Sequence, residues 1–399
     1  MVLLLPTSTY RATAFVAAAK ALGAEVVVAS DQVSPALDPA GTRAIELPFD
    51  DPERAAVMLA DLDGRGPVDA VVAVDDVGVV LAAQTSELLG LPHNPPDAAA
   101  RTRDKRALRR ALDAGEVPQP RWAEVEDRDH LPDVGFPCVV KPASLSGSQG
   151  VIRADDLEAA RAAAVRAHGI ACGEPLLVEE FVPGREVAVE AIVRAGTLAV
   201  LAVFDKPDPL DGPYFEETIY VTPSRLPDRV QAELARITRD AAIAIGLTEG
   251  PVHAELRITE DGDDVRIRVI DVAARSIGGL CARALRFGAG ISLEEVILRH
   301  ALGLPLDDVR RERSASGVMM LPIPHTGKLR AVHGQDDARA VPGVVGLEIS
   351  INPGRPVVAL PEGDRYLGFL FARGDTAAQV ETTLRAAHAR LEVVIDPAP

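Results

Sequence analysis

Three stretches of this chain have residue types and spacings suited to chemistry. The first runs from Cys138 to Gly150 and reads C-V-V-K-P-A-S-L-S-G-S-Q-G. Its apolar, partly β-branched start reads as the end of a buried strand closed by Lys141, with Pro142 stopping the ladder. Ser144, Ser146, Gly147, Ser148 and Gly150 then make a loop of small side chains and accessible N–H groups. A cation at a strand end before such a loop suits a polyphosphate: amides wrap the oxygens and the ammonium supplies a point charge. A surface lysine before a flexible turn is the competing reading. The stretch is not a Walker A loop, and no G-x-G-x-x-G follows the first strand.

The second stretch is Glu179-Glu180-Phe181-Val182, followed by Gly184 and Glu186. An apolar strand end offers backbone groups to an adenine edge, and a carboxylate a few residues on can accept from ribose hydroxyls; solvated glutamates beside a turn read the same way. The third is a pair of late strands, with Glu255 inside V-H-A-E-L and Asp271 inside V-I-D-V-A-A-R. If they are neighbours, both carboxylates point to one face, where Mg²⁺ takes one or two protein oxygens beside phosphate oxygens and water. Arg275 shares that face with Asp271 if the chain stays extended, and a planar guanidinium suits a carboxylate or a transferred phosphoryl group. A surface ion pair is the alternative. His253, two residues before Glu255, faces the same way and is a candidate for orienting substrate or taking a proton, or a hydrogen-bonded structural histidine.

The elements that must position these residues follow from periodicity. Val2–Leu5, Glu25–Ala29 and Val68–Val74 read as strands alternating with helices at Arg11–Leu22, Arg54–Leu62 and Gly78–Leu89, which gives a small parallel sheet. Asp75-Asp76 ends the last of these strands, where parallel sheets present ligands, although a solvated turn also accounts for the pair. Leu91–Pro96 reads as a linker. Ala98–Ala114 is one helical run carrying Arg103, Asp104, Lys105 and Arg106. Strands are expected at Trp122–Val125, Val134–Lys141 and Leu176–Val182, with a helix at Asp155–Ala167 capped by Asp155. Arg185–Val193 and Leu198–Phe204 form a hairpin around Gly196, and Asp205–Leu226 is a Pro-rich loop. Pro227–Ile245 is a helix, Val252–Ile258 and Val265–Ala273 are antiparallel strands, and helices start at Gly278-Gly279 and Leu293. A β-rich unit with a closing helix at Thr376–Leu391 ends the chain.

At 399 residues the chain exceeds one ordinary core, so two or three domains are expected. A formal charge of −17 with no basic stripe argues against nucleic acid. No apolar run approaches the ~18 residues of a membrane span. The N-terminus lacks a basic region before its apolar run and reads as a strand, not a signal peptide. Three scattered cysteines without C-x-x-C spacing favour a reducing cytoplasm and argue against a disulfide framework or zinc.

Taken in order across Ala98–Leu302, these motifs resemble the ATP-grasp superfamily. The resemblance implies an α/β (α+β) fold: an N-terminal Rossmann-like domain (1–96), an ATP-grasp domain (97–304, lid about 115–182) and a small C-terminal β-rich domain (305–399). It matches Lys105 and Lys141 to the two lysines that touch ATP phosphates, and Ser144–Gly150 to the glycine loop that closes over them. Glu179, Glu180, Phe181 and Val182 match the adenine hinge, Glu186 the ribose carboxylate, and Glu255 and Asp271 the Mg²⁺ ligands. The usual E-x-N-x-R tail here reads Asp271-Val-Ala273-Ala-Arg275, so a metal-ligating Asn is replaced by an alanine.

Among ATP-grasp proteins the layout looks most like the L-amino-acid ligases and the carnosine-synthase group. That implies an ATP-dependent, ADP-forming ligase joining a small carboxylate to an amine through an acyl phosphate, with Lys141 and Arg275 serving the transfer. Substrate specificity is then expected from Glu216 and Glu217 in the Pro-rich loop, Arg275, and the N–H groups at Gly278-Gly279. A carboxylate in that loop suits the ammonium of an amino acid, and solvated glutamates remain the alternative. A homodimer stays open. The rivals are a carboxylate–thiol ligase, a biotin-carboxylase-like or purine-biosynthesis-like enzyme, and an ATP-binding protein without turnover.

Overall fold

The structure, a computed structural model, describes residues 1–32, 43–63, 66–127, 130–262, 264–288, 290–306 and 309–397. Its first unit alternates β1 (Val2–Leu4), α1 (Ala12–Ala21), β2 (Val27–Ser30), β3 (Arg43–Glu46), α2 (Pro52–Asp63), β4 (Val71–Ala73) and α3 (Val79–Leu88). The four strands are parallel in the order β3-β2-β1-β4. The carboxyl ends of β1 and β4 therefore open on the same side, at Ser8–Tyr10 and Asp75-Asp76.

The helical run expected over 98–114 is two helices, α4 (Pro96–Arg101) and α5 (Lys105–Ala114). Asp104 breaks it by accepting the Arg106 N–H at 2.8 Å as an N-cap, a local bond that competes with helix continuation. The break sets Lys105 at the start of α5. The lid follows as β5 (Trp122–Val125), β6 (Cys138–Pro142), β7 (Ile152–Ala154), α6 (Leu157–Ile170) and β8 (Leu176–Glu180), antiparallel in the order β5-β8-β6-β7. Strand β6 starts later than expected, after Pro137, which offers no N–H to a ladder, and it includes Pro142, the register partner of Leu176. Asp156, not Asp155, caps α6 by accepting from Ala159 N–H.

The next strands and helices are β9 (Arg185–Arg194), β10 (Thr197–Lys206), β11 (Ile219–Thr222), α7 (Asp228–Ile245), β12 (Gly250–Asp261), β13 (Asp264–Ala273) and α8 (Leu293–Ala301). The helix expected at Gly278–Phe287 is only a short 3-10 turn at Cys281–Ala284. Gly279 has φ +57° with the Phe369 ring against its Cα, and two adjacent glycines are poor helix formers. The chain closes with β14 (Ala315–Leu321), β15 (Gly327–His333), α9 (Gln335–Arg339), β16 (Val344–Ile349), β17 (Pro356–Val357), β18 (Gly368–Gly374), α10 (Ala377–His388) and β19 (Glu392–Pro397). Three of these late strands extend the large antiparallel sheet, whose order is β13-β12-β9-β10-β11-β14-β18-β16. The sheet thus runs unbroken past residue 305. Among the described residues no helix is long and apolar enough to cross a membrane.

This sheet separates two cores by strand alternation. On β9, Val187, Val189, Ala191 and Val193 pack with Val230, Leu234 and Ile237 of α7. Ala188 and Ile192 face the other way, into a core with Leu3, Leu5 and Phe15 of the N-terminal unit. On β12, Val252, Ala254, Leu256 and Ile258 belong to the α7 side, which leaves His253, Glu255 and Arg257 for the other. The polar positions Glu186, Glu190 and Lys206 follow the same parity. A single face of the sheet therefore collects the charges.

Strand β13 reaches this face only through a bulge. Glu255 is the register partner of Asp271, but Leu256 pairs with Val269, so Ile270 is the extra residue. Ile267 and Val269 face α7 and so does Val272; without the bulge, Asp271 would share the parity of Val269 and point into that apolar core. A bulge changes which way the following side chains aim.

The turn linking lid to sheet is equally constrained. Gly184 has φ +116°, and a Cβ there would lie 2.1 Å from the Ile258 carbonyl oxygen. Gly184→Ala is expected to cost at least about 2 kcal/mol of stability, from backbone strain plus the displaced strand β12. Urea unfolding checks this; an unchanged midpoint would show that the turn relaxes freely.

Candidate active site

A cleft of about 510 Å³ lies between the lid, the polar face of the large sheet, the carboxyl ends of β1 and β4, and the segment Asp364–Tyr366. Lys141 enters it from β6, buried, with its ammonium 2.8 Å from Glu179. Lys105 comes from the start of α5; its ammonium donates to the Leu145 carbonyl at 2.5 Å and stands 3.9 Å from Asp271. The two lysines thus flank the glycine loop. Ser146, Gly147 and Ser148 line the cleft, Gly147 and Ser148 at positive φ. Gly150 does not line it: its N–H donates to Pro361 at 2.8 Å and its Cα packs on the Pro142 ring. Gln149 donates to the Glu362 carbonyl, and Arg166 of α6 forks onto the Glu362 carboxylate at 2.6 and 3.0 Å. The loop is therefore docked on a strap from the C-terminal unit.

At the hinge, the Glu179 side chain turns inward. Both its oxygens accept from Arg109, at 2.7 and 2.9 Å, and one also meets Lys141. Burial opposes its charge, but Arg109 and Lys141 win and hold the carboxyl at about 2. Burial pulls Lys141 down to about 8 despite Glu179. Glu180 pairs with Arg121 at 2.5 Å, and Phe181 lies under the guanidinium groups of Arg153 and Arg257 at 4.3 and 5.1 Å. The Glu180 and Phe181 N–H groups donate to the Arg121 and Pro137 carbonyls at 2.8 and 2.9 Å and the Val182 carbonyl accepts from Arg257, so a ring edge would be met by the other backbone groups of this stretch.

The polar face of the sheet carries the densest charge. Lys206 places its ammonium 2.7 Å from each of Glu186, Glu217 and Glu255. Arg257 takes the other Glu186 oxygen at 2.9 Å, so the expected ribose carboxylate has both oxygens engaged. Burial penalises the Lys206 charge, but the three carboxylates raise its pKa well above the ordinary value. Glu217 is held below the usual carboxylate range by Lys206 against its burial, while Glu255 is raised by burial against the pull of Lys206. Tyr220 and Tyr366 donate to Glu217 at 2.6 and 3.2 Å. Glu216, paired with it in the sequence reading, is absent from the cleft wall among the described residues; burial raises its pKa. One alternates with the other along an extended segment, so only one can face the cleft.

His253 Nδ1 contacts Glu190, which also accepts the Ile277 N–H at 3.0 Å, and its Nε2 is 3.6 Å from Glu255. Burial works against the charged ring, yet Glu190 and Glu255 raise it to about 9. The two carboxylates beside the ring favour its charged form, which suits the orienting role expected of it. Across the cleft Arg275 donates to Asp76 at 3.0 Å, and Arg103 lies 3.6 Å from the same carboxylate. Arg275 and Arg103 hold Asp76 below its ordinary value against its burial. Asp76 is thus not a solvated turn residue. Gly278 and Gly279 line the cleft beside Arg275, without the expected helix.

Asp271 completes the wall between Lys105 and the register partner Glu255. Among the described residues, Glu186, Glu217 and Glu255 also bring carboxylate oxygens within 4.8 Å of one another. The motifs did not point to several site residues, among them Tyr220, Tyr366, Arg109, Glu190 and Arg257. The last two could have been found from the period of two, since E-V-A-V-E on β9 and H-A-E-L-R on β12 repeat polar residues on one face. Arg109 gives no such signal.

Comparison with known proteins agrees with this geometry. Residues 134–284 match the profile described as ATP-grasp domain, residues 16–93 that of the ATP-grasp N-terminal domain, and residues 319–396 that of the L-amino acid ligase C-terminal domain 2. The chain is 25% identical over 276 residues to alanine–anticapsin ligase of Bacillus subtilis, covering 62% of this chain and 57% of that protein. It is 31% identical over 321 residues to carnosine synthase 1 of Gallus gallus, covering 71% and 34%. In both cases it spans less than two thirds of the relative. The crystal structure of L-amino acid ligase from Bacillus licheniformis superposes with a TM-score of 0.83 at 24% identity, covering 99% of this chain and 98% of that one. With its lid, glycine loop, hinge and paired strands in this order, the chain belongs to the ATP-grasp superfamily.

Proposed function

We propose that this protein is an ATP-dependent, ADP-forming ligase that joins a small carboxylate to an amine, amino acids foremost, through an acyl phosphate. One observation carries the reading: two lysines under a glycine loop, two facing carboxylates and the Arg275 guanidinium converge on a single cleft. The relatives named as ligases support it.

The donor set fits the groups this chemistry needs. Lys105, Lys141 and the N–H groups of Ser146–Ser148 would hold the phosphates, and the backbone of Glu180–Val182 the adenine edge. Glu255 and Asp271, side by side on β12 and β13, would hold Mg²⁺, which when bound neutralises charge on the phosphates. Glu186, held by Lys206 and Arg257, would offer a remaining lone pair to a ribose hydroxyl. The reaction balances in two steps. A carboxylate oxygen attacks the γ-phosphorus and ADP leaves; the amine nitrogen then attacks the acyl carbon, phosphate leaves, and the departing phosphate takes the proton that the nitrogen sheds. Arg275 and His253 offer fixed positive charge to the oxygens that become more negative. The docked lid loop shields the acyl phosphate from water. Glu217, Gly278 and Gly279 border the same end of the cleft, where the amine partner would be recognised.

A second reading, nucleotide binding without turnover, draws on Ala273, whose methyl group cannot ligate a metal. ADP release measured against single and paired amino acids separates the two. The ligase is expected to release ADP in step with a condensed product detected by mass spectrometry, and Arg275→Met is expected to lower turnover by ~10²-fold or more. Tight nucleotide binding with no ADP release across a broad panel would favour the second reading.

The lowered pKa of Lys141 gives a pH signature. In the free cleft this lysine loses its proton near pH about 8, whereas bound phosphates favour the charged form and raise its pKa. Between about pH 8 and the ordinary lysine range of ~10.4, binding therefore takes up a proton, and affinity falls as pH rises. Calorimetry in buffers of different ionisation enthalpy is expected to show this uptake in the wild type and not in Lys141→Met. Equal proton uptake in both proteins would remove Lys141 from the phosphate site.

A further inference from the structure

The cluster around Lys206 has a feature that the ligase reading does not use. Three carboxylates from three strands or loops, Glu186, Glu217 and Glu255, bring oxygens within 4.8 Å of one another, an arrangement able to take a divalent ion. A cation already stands at its centre. The Lys206 ammonium lies 2.7 Å from one oxygen of each, and its three N–H donors match three acceptors. The Tyr220 ring supports it at 4.8 Å.

We propose that Lys206 takes the place of one of the divalent ions that the paired carboxylates would otherwise share with the phosphates, so that the nucleotide complex carries a single one, at Glu255 and Asp271. The inference rests on the ATP-dependent reading above. Three observations support it.

The first is charge. Lys206 is shared by all three carboxylates, Arg257 adds a second cation on Glu186, and His253 stands beside Glu255. The group is compensated from within, and another ion would meet an ammonium at van der Waals range.

The second is anchoring. Lys206 is 5% exposed at the end of β10, and its neighbour Asp205 is tied to Ser224 and Arg225 at 2.5 and 2.9 Å. Withdrawal of the side chain would leave three carboxylates, one buried and two half-buried, without their shared cation, a cost of the kind that keeps buried charges paired.

The third is Ala273. It lines the cleft as the register partner of His253, two residues past Asp271, and offers a methyl group where a second ion would need an oxygen. Mg²⁺ demands near-octahedral oxygen ligands, and beyond Asp271 this side of the cleft supplies none from β13. Loss of that ligand and presence of an internal ammonium are compatible halves of one arrangement: a fixed cation cannot be lost to dilution and needs no extra protein oxygen.

Counting Mn²⁺ by electron paramagnetic resonance, on the whole protein saturated with ADP or a non-hydrolysable ATP analogue, tests this without any turnover. The wild type is expected to hold one Mn²⁺ per bound nucleotide. Lys206→Met, nearly isosteric and uncharged, is expected to gain a second Mn²⁺ on the three glutamates and to be raised in Tm by it, whereas Lys206→Arg stays at one. Two Mn²⁺ on the wild-type nucleotide complex would overturn the inference alone, and that count decides the matter even where Lys206→Met fails to fold. Failure of the wild type to bind nucleotide at all would instead overturn the ATP-dependent reading, and this inference with it.

Discussion

Much of the cleft depends on one buried guanidinium. Arg109 is fully enclosed, and a charge in that position must be paired and hydrogen-bonded to be tolerated. It meets this need by forking onto Glu179 of the lid and by donating to the Val269 and Ile270 carbonyls at 3.1 and 2.7 Å. The first bond fixes the carboxylate that holds Lys141. The second satisfies the backbone at the bulge that aims Asp271. A single helix residue therefore ties Lys141 to the strand end that carries Asp271, and it does so by its own requirement for partners.

The same logic extends outward through compensated pairs. Lys206 binds three carboxylates, Glu190 fixes His253, and Asp76 fixes Arg275, each pair bridging separate strands or units. Asp76 comes from the N-terminal parallel sheet and Arg275 from the loop after β13, so the end of the cleft opposite the hinge is assembled across two units. Buried Arg11 reinforces that junction through the Val74 carbonyl and Ser276, at 3.1 and 2.7 Å. The C-terminal unit contributes as well, since its strap at Pro361–Tyr366 carries the glycine loop and donates to Glu217. Every unit of the chain supplies part of the cleft wall.

These pairs also explain why several residues act differently from what their position in a motif suggests. Glu179 and Glu180 lie where an adenine is expected, but their carboxylates are consumed by arginines, so the backbone is what remains for recognition. Glu216 and Glu217 are adjacent in sequence and opposite in fate, because an extended chain turns alternate side chains to opposite faces. His253 sits against two carboxylates, which favour its charged form and suit it to orienting an anion.

By itself the sequence determined the order of elements, the parallel first sheet and the Lys141 loop, because these follow from periodicity and from spacing along the chain. The alternation of β9 and β12 is written in their residues and needs no partner to be read. Tertiary structure alone decided the rest. Whether Asp271 faces the cleft or α7 turned on an Ile270 bulge, which pairing with β12 creates. Whether Asp76 is a solvated turn or an anchor turned on Arg275 arriving from almost two hundred residues away. The split of the helix at Asp104 and the failure of one at Gly279 were settled by a cap and by the Phe369 ring. Arg109 shows the reason most plainly: a buried charge is defined by the partners that fold around it, and those partners come from segments that local sequence cannot bring together.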